Sequence, residues 1–108
     1  MSSPAQAIRV AVVDDDPAVL EGLSQFIEAA PGMRCAGVFS TGEEILRALA
    51  SLEVDIILMD IQLPGMSGIE CIRRIKEVRP AVQILMLTVF EDHDRIFQSL
   101  ATGATGYL

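Results

Sequence analysis

Three consecutive aspartates, Asp14, Asp15 and Asp16, follow the β-branched run Ile8–Val13, and a fourth, Asp60, follows the apolar run Val54–Met59. An aspartate after a buried strand is commonly a turn former or a helix cap. Asp16 fits that role, because Pro17 stands at the first helical position, where the missing N–H costs nothing. Asp14, Asp15 and Asp60 are different. If the strands before them are neighbours, three carboxylates converge on one pocket, and like charges at that distance raise one another's pKa unless a cation separates them. No Lys, Arg or His stands at either strand end. A hard divalent cation held by oxygen ligands is the simplest source of the missing charge, and Mg²⁺ is the usual choice where phosphate is handled. A carboxylate beside such an ion can act as a nucleophile toward phosphorus and form an acyl phosphate. Thr88, after the run Gln83–Leu87, offers a hydroxyl that suits a phosphoryl oxygen, although a strand-end threonine often serves only the backbone.

The elements that must position these groups alternate. Met1 to Ala7 is a small, polar lead-in containing Pro4. Ile8–Val13 reads as a strand buried on both faces. Val19, Leu20, Leu23, Phe26, Ile27 and Ala30 follow helical spacing until Pro31-Gly32 ends the pattern. Met33–Phe39 is a second strand. Ser40 and Glu43 have capping-box spacing, which predicts a helix from about Thr41 to Leu52. Val54–Met59 is a third strand, followed by a loop with Pro64, Gly65, Ser67 and Gly68. Ile69, Ile72, Ile75 and Val78 mark a third helix, Gln83–Leu87 a fourth strand, Asp92–Ala101 a fourth helix, and Thr105–Leu108 a fifth strand. Strict alternation implies an α/β fold with a parallel sheet and helices on both faces. Ligands of such sheets bind outside the carboxyl ends of the strands, where the aspartates and Thr88 lie.

Composition removes several classes. The chain has 108 residues, enough for one domain. With 8 Lys+Arg against 15 Asp+Glu, the net charge of −7 disfavours nucleic-acid binding by this segment itself. No apolar run approaches the ~20 residues of a membrane span. Met1 to Ala7 lacks the basic and apolar parts of a signal peptide. Cys35 and Cys71 have no metal-ligand spacing and read as reduced, buried side chains of a cytoplasmic protein. His93 is the sole histidine and reads as a surface residue. No Gly-x-Gly-x-x-Gly or Gly-Lys-Ser/Thr supports a nucleotide site.

Four segments together resemble the receiver domain of two-component response regulators: Val13-Asp14-Asp15, Met59 through Gly68, Leu87-Thr88, and Gly103 through Tyr107. Leu87 through Asp92 and the closing Ala104 through Leu108 are most similar to LuxR/NarL-like receivers, which are joined to a helix-turn-helix domain. The resemblance covers Ile8 onward, so positions 8–108 are read as the receiver domain. It implies a flavodoxin-like doubly wound sheet in the order 2-1-3-4-5. It also implies that Asp60 accepts a phosphoryl group from a sensor histidine kinase, with self-phosphotransfer and autodephosphorylation as the only chemistry. Asp15, Asp60 and the Gln62 backbone carbonyl would hold Mg²⁺ directly, and Asp14 would hold it through water. Thr88 would move toward the phosphoryl group, and Tyr107 would change rotamer in response. DNA would be reached only through an output domain outside this chain.

The family also carries a lysine shortly after the tyrosine. Here the sequence ends at Leu108, before that position and before a fifth helix, and Lys76 lies within the third helix. Truncation of a longer regulator is favoured over a shortened variant with impaired switching, because the sequence stops inside a strand pattern. The first and fifth helices of such a sheet share one face, so the strands Ile8–Val13 and Thr105–Leu108 are expected to be left partly bare. Losing on the order of 400 Å² of burial removes ~10 kcal/mol. A homodimer covering that face is therefore expected. Two other readings stay open. Asp14-Asp15-Asp16 also resembles the first motif of haloacid-dehalogenase-type phosphatases, with Asp14 as nucleophile and Asp16 as acid/base. The acidic pocket could instead be vestigial, in a non-enzymatic interaction module.

Overall fold

The computed structural model describes residues 7–87 and 101–107. Five parallel strands, β1 (Ile8–Val13), β2 (Met33–Phe39), β3 (Ile56–Asp60), β4 (Gln83–Leu87) and β5 (Gly106–Tyr107), form one sheet in the order β2-β1-β3-β4-β5. Three helices are seen among the described residues: α1 (Pro17–Ala29), α2 (Gly42–Ala48) and α3 (Gly68–Val78). The flavodoxin-like architecture expected from alternation and resemblance is present. Met1 to Gln6 of the lead-in, Thr88 and the helix expected up to Leu100 lie outside the described residues; Ala101 and Thr102 are helical.

Period-two alternation divides the core between the two faces of the sheet. Ala11, Val13, Ile57, Met59, Ile84 and Met86 point to one face, where α2 and α3 supply Ile45, Leu49, Cys71, Ile72 and Ile75. Val10, Val12 and Leu58 point to the other, where α1 supplies Ile27, with Leu20 and Leu23 partly buried. Since both faces are covered, the inner strands have continuous apolar sequences rather than alternating ones. β2 lies at the edge of the sheet, and its pairing with β1 slips by one residue between Cys35 and Gly37.

Several expectations need correction. α2 is shorter than Thr41 to Leu52 and starts one residue later than the Ser40 capping box placed it. Thr41 Oγ1 is the cap, accepting the Glu44 N–H at 3.1 Å, and Glu44 Oε1 accepts the Ser40 N–H at 2.8 Å. At the other end Arg79 donates to the carbonyls of Leu49 and Leu52, at 2.7 and 2.6 Å. That long-range contact satisfies carbonyls that lie past the end of α2 and have no intrahelical partner. β3 begins at Ile56 rather than Val54, because the Arg9 backbone N–H, which a longer ladder would pair with a carbonyl, donates instead to Asp55 Oδ2 at 2.9 Å. Phe26 and Val78 are 70% and 59% exposed rather than core, each lying at the margin of its helix's apolar arc. Cys35 is only half-buried, while Cys71 is fully buried.

The face expected to be bare is also different. In β1, Val10 through Val13 are at most 1% exposed. The partly covered apolar strand residues on the α1 face are Met33 and Cys35 in the edge strand β2, and Ile56, Leu85 and Leu87 in β3 and β4. α1 therefore covers the centre of β1 fully and leaves β2 on one side, and β3 and β4 on the other, partly covered. Among the described residues, no helix is long and apolar enough to cross a membrane.

A carboxylate cluster at the carboxyl ends of the strands

β1 and β3 are hydrogen-bonded neighbours, with Val13 opposite Met59, so the residues that follow each strand emerge side by side. Asp14, Asp15 and Asp60 each bring one carboxylate oxygen to within 4.8 Å of the others. Asp14 is buried, Asp60 half-buried and Asp15 exposed. Each buried carboxylate is fixed by a local backbone donor: Asp14 Oδ1 accepts the Asp16 N–H at 2.9 Å, and Asp60 Oδ1 accepts the Gln62 N–H at 3.0 Å. Asp16 is not part of the cluster. Its Oδ1 accepts the Ala18 N–H at 2.9 Å as the cap of α1, as expected from Pro17.

Burial pushes the Asp14 and Asp60 carboxyls above the usual aspartate range. The backbone N–H groups of Asp16 and Gln62 oppose this, and neighbouring aspartates add to it: Asp60, Asp15 and Asp16 for Asp14, and Asp15 for Asp60. Desolvation thus outweighs the like-charge repulsion emphasised by the sequence, although both act in the same direction. Among the described residues, the charged side chains felt by these two groups are all carboxylates. An all-oxygen donor set with excess negative charge fits a hard divalent cation and does not fit a soft one.

The loop from Ile61 to Ser67 forms one wall of an open cleft that Asp15 lines on its other side. Ile61 and Leu63 anchor it in the core, leaving Gln62 and Pro64 exposed between and beyond them. Ser67 Oγ caps α3 by accepting the Glu70 N–H at 3.2 Å. Gly68 is required for space: a Cβ there would lie 2.8 Å from the Asp60 carbonyl oxygen. The first turn of α3 thus packs directly on the peptide of Asp60.

Of the remaining candidates, Gln62 is tied to Asp60 through its backbone N–H. Thr88 lies outside the described residues, although its predecessor Leu87 is paired with Asp60. Tyr107 is in β5, opposite Met86, and the role expected of its side chain lies outside what is described. Lys76 is not at the cluster. Its Nζ donates to the Pro80 and Val82 carbonyls at 3.2 and 2.6 Å.

Residues 10–108 match the response regulator receiver domain. The chain belongs to that family, in its LuxR/NarL-like branch. It is 39% identical over 101 residues to the uncharacterized transcriptional regulatory protein YxjL of Bacillus subtilis, covering 94% of this chain and 46% of that protein. Identity to the transcriptional regulatory protein LiaR of the same organism is also 39% over 101 residues, covering 94% and 48%. The crystal structure of a LuxR-family two-component response regulator from Aurantimonas superposes with a TM-score of 0.87 at 34% identity, covering 94% of this chain and 72% of that one. The chain spans about half the length of the curated relatives it matches. The phosphatase reading gave Asp16 an acid/base role; as the cap of α1 and outside the cluster, Asp16 leaves that reading without support.

Proposed function

We propose that this receiver domain takes a phosphoryl group onto Asp60 from the phosphohistidine of a sensor histidine kinase. The observation that supports this best is the convergence of three carboxylates, with no basic side chain among the described charges that act on Asp14 and Asp60. An Asp60 carboxylate oxygen forms the new O–P bond while the N–P bond of phosphohistidine breaks, and its electron pair returns to the imidazole. Asp15, Asp60 and the Gln62 backbone carbonyl would hold Mg²⁺, with Asp14 acting through water. When bound, the ion supplies the positive charge that neutralises the phosphoryl oxygens. Asp60 is oriented for the step by the Gln62 N–H and by the close packing of Gly68 on its peptide.

In the signalling step, the Thr88 hydroxyl contacts the phosphoryl group and Tyr107 moves in response. The surface around residues 92–101 and β5 then changes, biasing an output domain that binds DNA. No other turnover is assigned: the chemistry is self-phosphotransfer and autodephosphorylation, in the cytoplasm. The half-covered residues Ile56, Leu85 and Leu87 beside α1 support a homodimer through that face, which sedimentation at micromolar concentration tests.

The decisive experiment is incubation with acetyl phosphate and Mg²⁺ followed by intact mass. One phosphoryl adduct is expected, and it is absent from Asp60→Asn. An adduct that persists in Asp60→Asn and is lost in Asp14→Asn would overturn the assignment.

A further inference from the structure

We propose that Glu43, at the start of α2, is a positioning residue that holds the loop after Asp60 in the shape the site requires. The inference rests on the phosphoacceptor reading of that loop.

The first turn of α2 carries two glutamates with different uses. Glu44 serves its own helix: its N–H is bonded by Thr41 Oγ1, and its carboxylate accepts the Ser40 N–H. The Glu43 carboxylate leaves the helix. Its Oε2 accepts the Met66 N–H at 3.2 Å, across 23 positions of sequence. The fit around this contact is close. Gly65 has φ 72°, and a Cβ there would lie 3.1 Å from the same Glu43 oxygen. The bare backbone of Gly65 thus provides both the left-handed turn and the room for the carboxylate. Next to it Gly42 packs on Cys71, where a Cβ would lie 3.1 Å from Sγ, so the start of α2 is seated firmly against α3.

The loop therefore has two kinds of restraint. Its first half is held by burial of Ile61 and Leu63. In its second half Pro64, Gly65 and Ser67 are exposed and Met66 is half-buried, so apolar burial contributes less there. A charge-assisted hydrogen bond from a seated helix replaces it. Gln62, whose carbonyl is a candidate ligand, lies in the first half, and that carbonyl belongs to the peptide shared with Leu63, next to the start of the second half. Releasing the second half loosens the chain that follows Leu63, and with it the peptide on which that carbonyl lies. An outer partner of this kind tunes metal affinity without touching the ion.

Three variants of the chain, Glu43→Ala, Glu43→Gln and Glu44→Ala, test this by amide hydrogen exchange and by calorimetric titration with Mg²⁺. Glu43→Ala is expected to speed exchange at the Met66 amide and to weaken Mg²⁺ binding about tenfold. Glu43→Gln keeps an acceptor oxygen and is expected to restore both. Glu44→Ala removes a bond to the Ser40 N–H at the same helix start and is expected to lower the melting temperature without either effect. Unchanged Mg²⁺ affinity in Glu43→Ala would overturn the proposal, as would an equal loss in Glu44→Ala. If the parent chain binds no Mg²⁺ and accepts no phosphoryl group, the phosphoacceptor reading fails and takes the positioning role with it. Faster Met66 exchange in Glu43→Ala would then still establish the clamp as a purely structural contact.

Discussion

The two ends of the sheet use the same residue type in opposite ways. At the amino ends of β1 and β3, Asp55 faces Arg9: Oδ1 accepts from Nη2 at 3.1 Å, and Oδ2 accepts from the Arg9 backbone N–H at 2.9 Å and from Nε at 3.1 Å. Glu53 adds a further contact to the same guanidinium at 2.7 Å. Hydrogen bonds and charge from Arg9 hold the Asp55 carboxyl below its ordinary range. At the carboxyl ends, Asp14 and Asp60 are desolvated beside other carboxylates and lie above that range. One end has satisfied its charge within the chain. Among the described residues the other has not, and a site that keeps unpaired charge in a folded domain is a candidate for binding something that supplies the missing sign.

The largest effect that tests this comparison is chemical. Asp60→Asn is expected to abolish phosphoryl uptake from acetyl phosphate, whereas Asp55→Asn leaves uptake near the parent level. Intact mass reads both. Loss of uptake in Asp55→Asn, with the fold retained by circular dichroism, would mean the two ends are coupled and that the contrast is not a division of labour.

Much of this contrast was legible in the sequence at the functional end and little of it at the other. Ile8–Val13 and Asp60 carry strong local signals, a buried strand followed by acids, and parallel neighbours bring those acids together. Asp55 carried no comparable signal, because its meaning depends on Arg9, which is distant in sequence and adjacent only through β1–β3 pairing. The early end of α2 was illegible for the same reason: Arg79 takes the Leu49 and Leu52 carbonyls from another helix. Glu43 was read as half of a capping box, a local role that competes with its actual partner, the Met66 N–H. Phe26 satisfied helical spacing, yet periodicity fixes an angle on the helix and not how far the neighbouring surface extends.

A second effect, smaller than the loss of chemistry, is on stability without metal. Carboxylate oxygens within 4.8 Å of one another repel by on the order of 1–3 kcal/mol at an effective dielectric between those of water and protein. In EDTA at neutral pH, Asp14→Asn and Asp60→Asn are each expected to raise the melting temperature. Added Mg²⁺ should stabilise the parent and narrow the gap, since binding to the folded state alone shifts the equilibrium. Asp55→Asn should do the reverse and lower the melting temperature modestly, because the pair with Arg9 is half-exposed and screened. Destabilisation by all three substitutions would show that Asp14 and Asp60 contribute through their hydrogen bonds more than they cost through charge.

The smallest expected effect, and the one that separates the two ends within a single protein, is the pH dependence of stability in EDTA. Asp14 and Asp60 have folded pKa values above the unfolded value of about 3.9. The folded state therefore takes up protons first, and stability from this end rises as pH falls from their raised folded values toward about 3.9. Asp55 has a folded pKa below its unfolded value, so its contribution is fully present above about 3.9 and is lost as pH falls through the lowered folded value. The melting temperature should accordingly pass through a shallow maximum on the acid side of neutrality. Asp14→Asn should flatten the limb above the maximum and leave the acid limb in place. Asp55→Asn should flatten the acid limb and leave the other. Other carboxylates contribute to both limbs, so the comparison is between each variant and the parent across the same pH series. If Asp14→Asn instead steepened the upper limb, the carboxyl-end charges would already be balanced in the free chain, and the case for an external cation would lose its electrostatic basis.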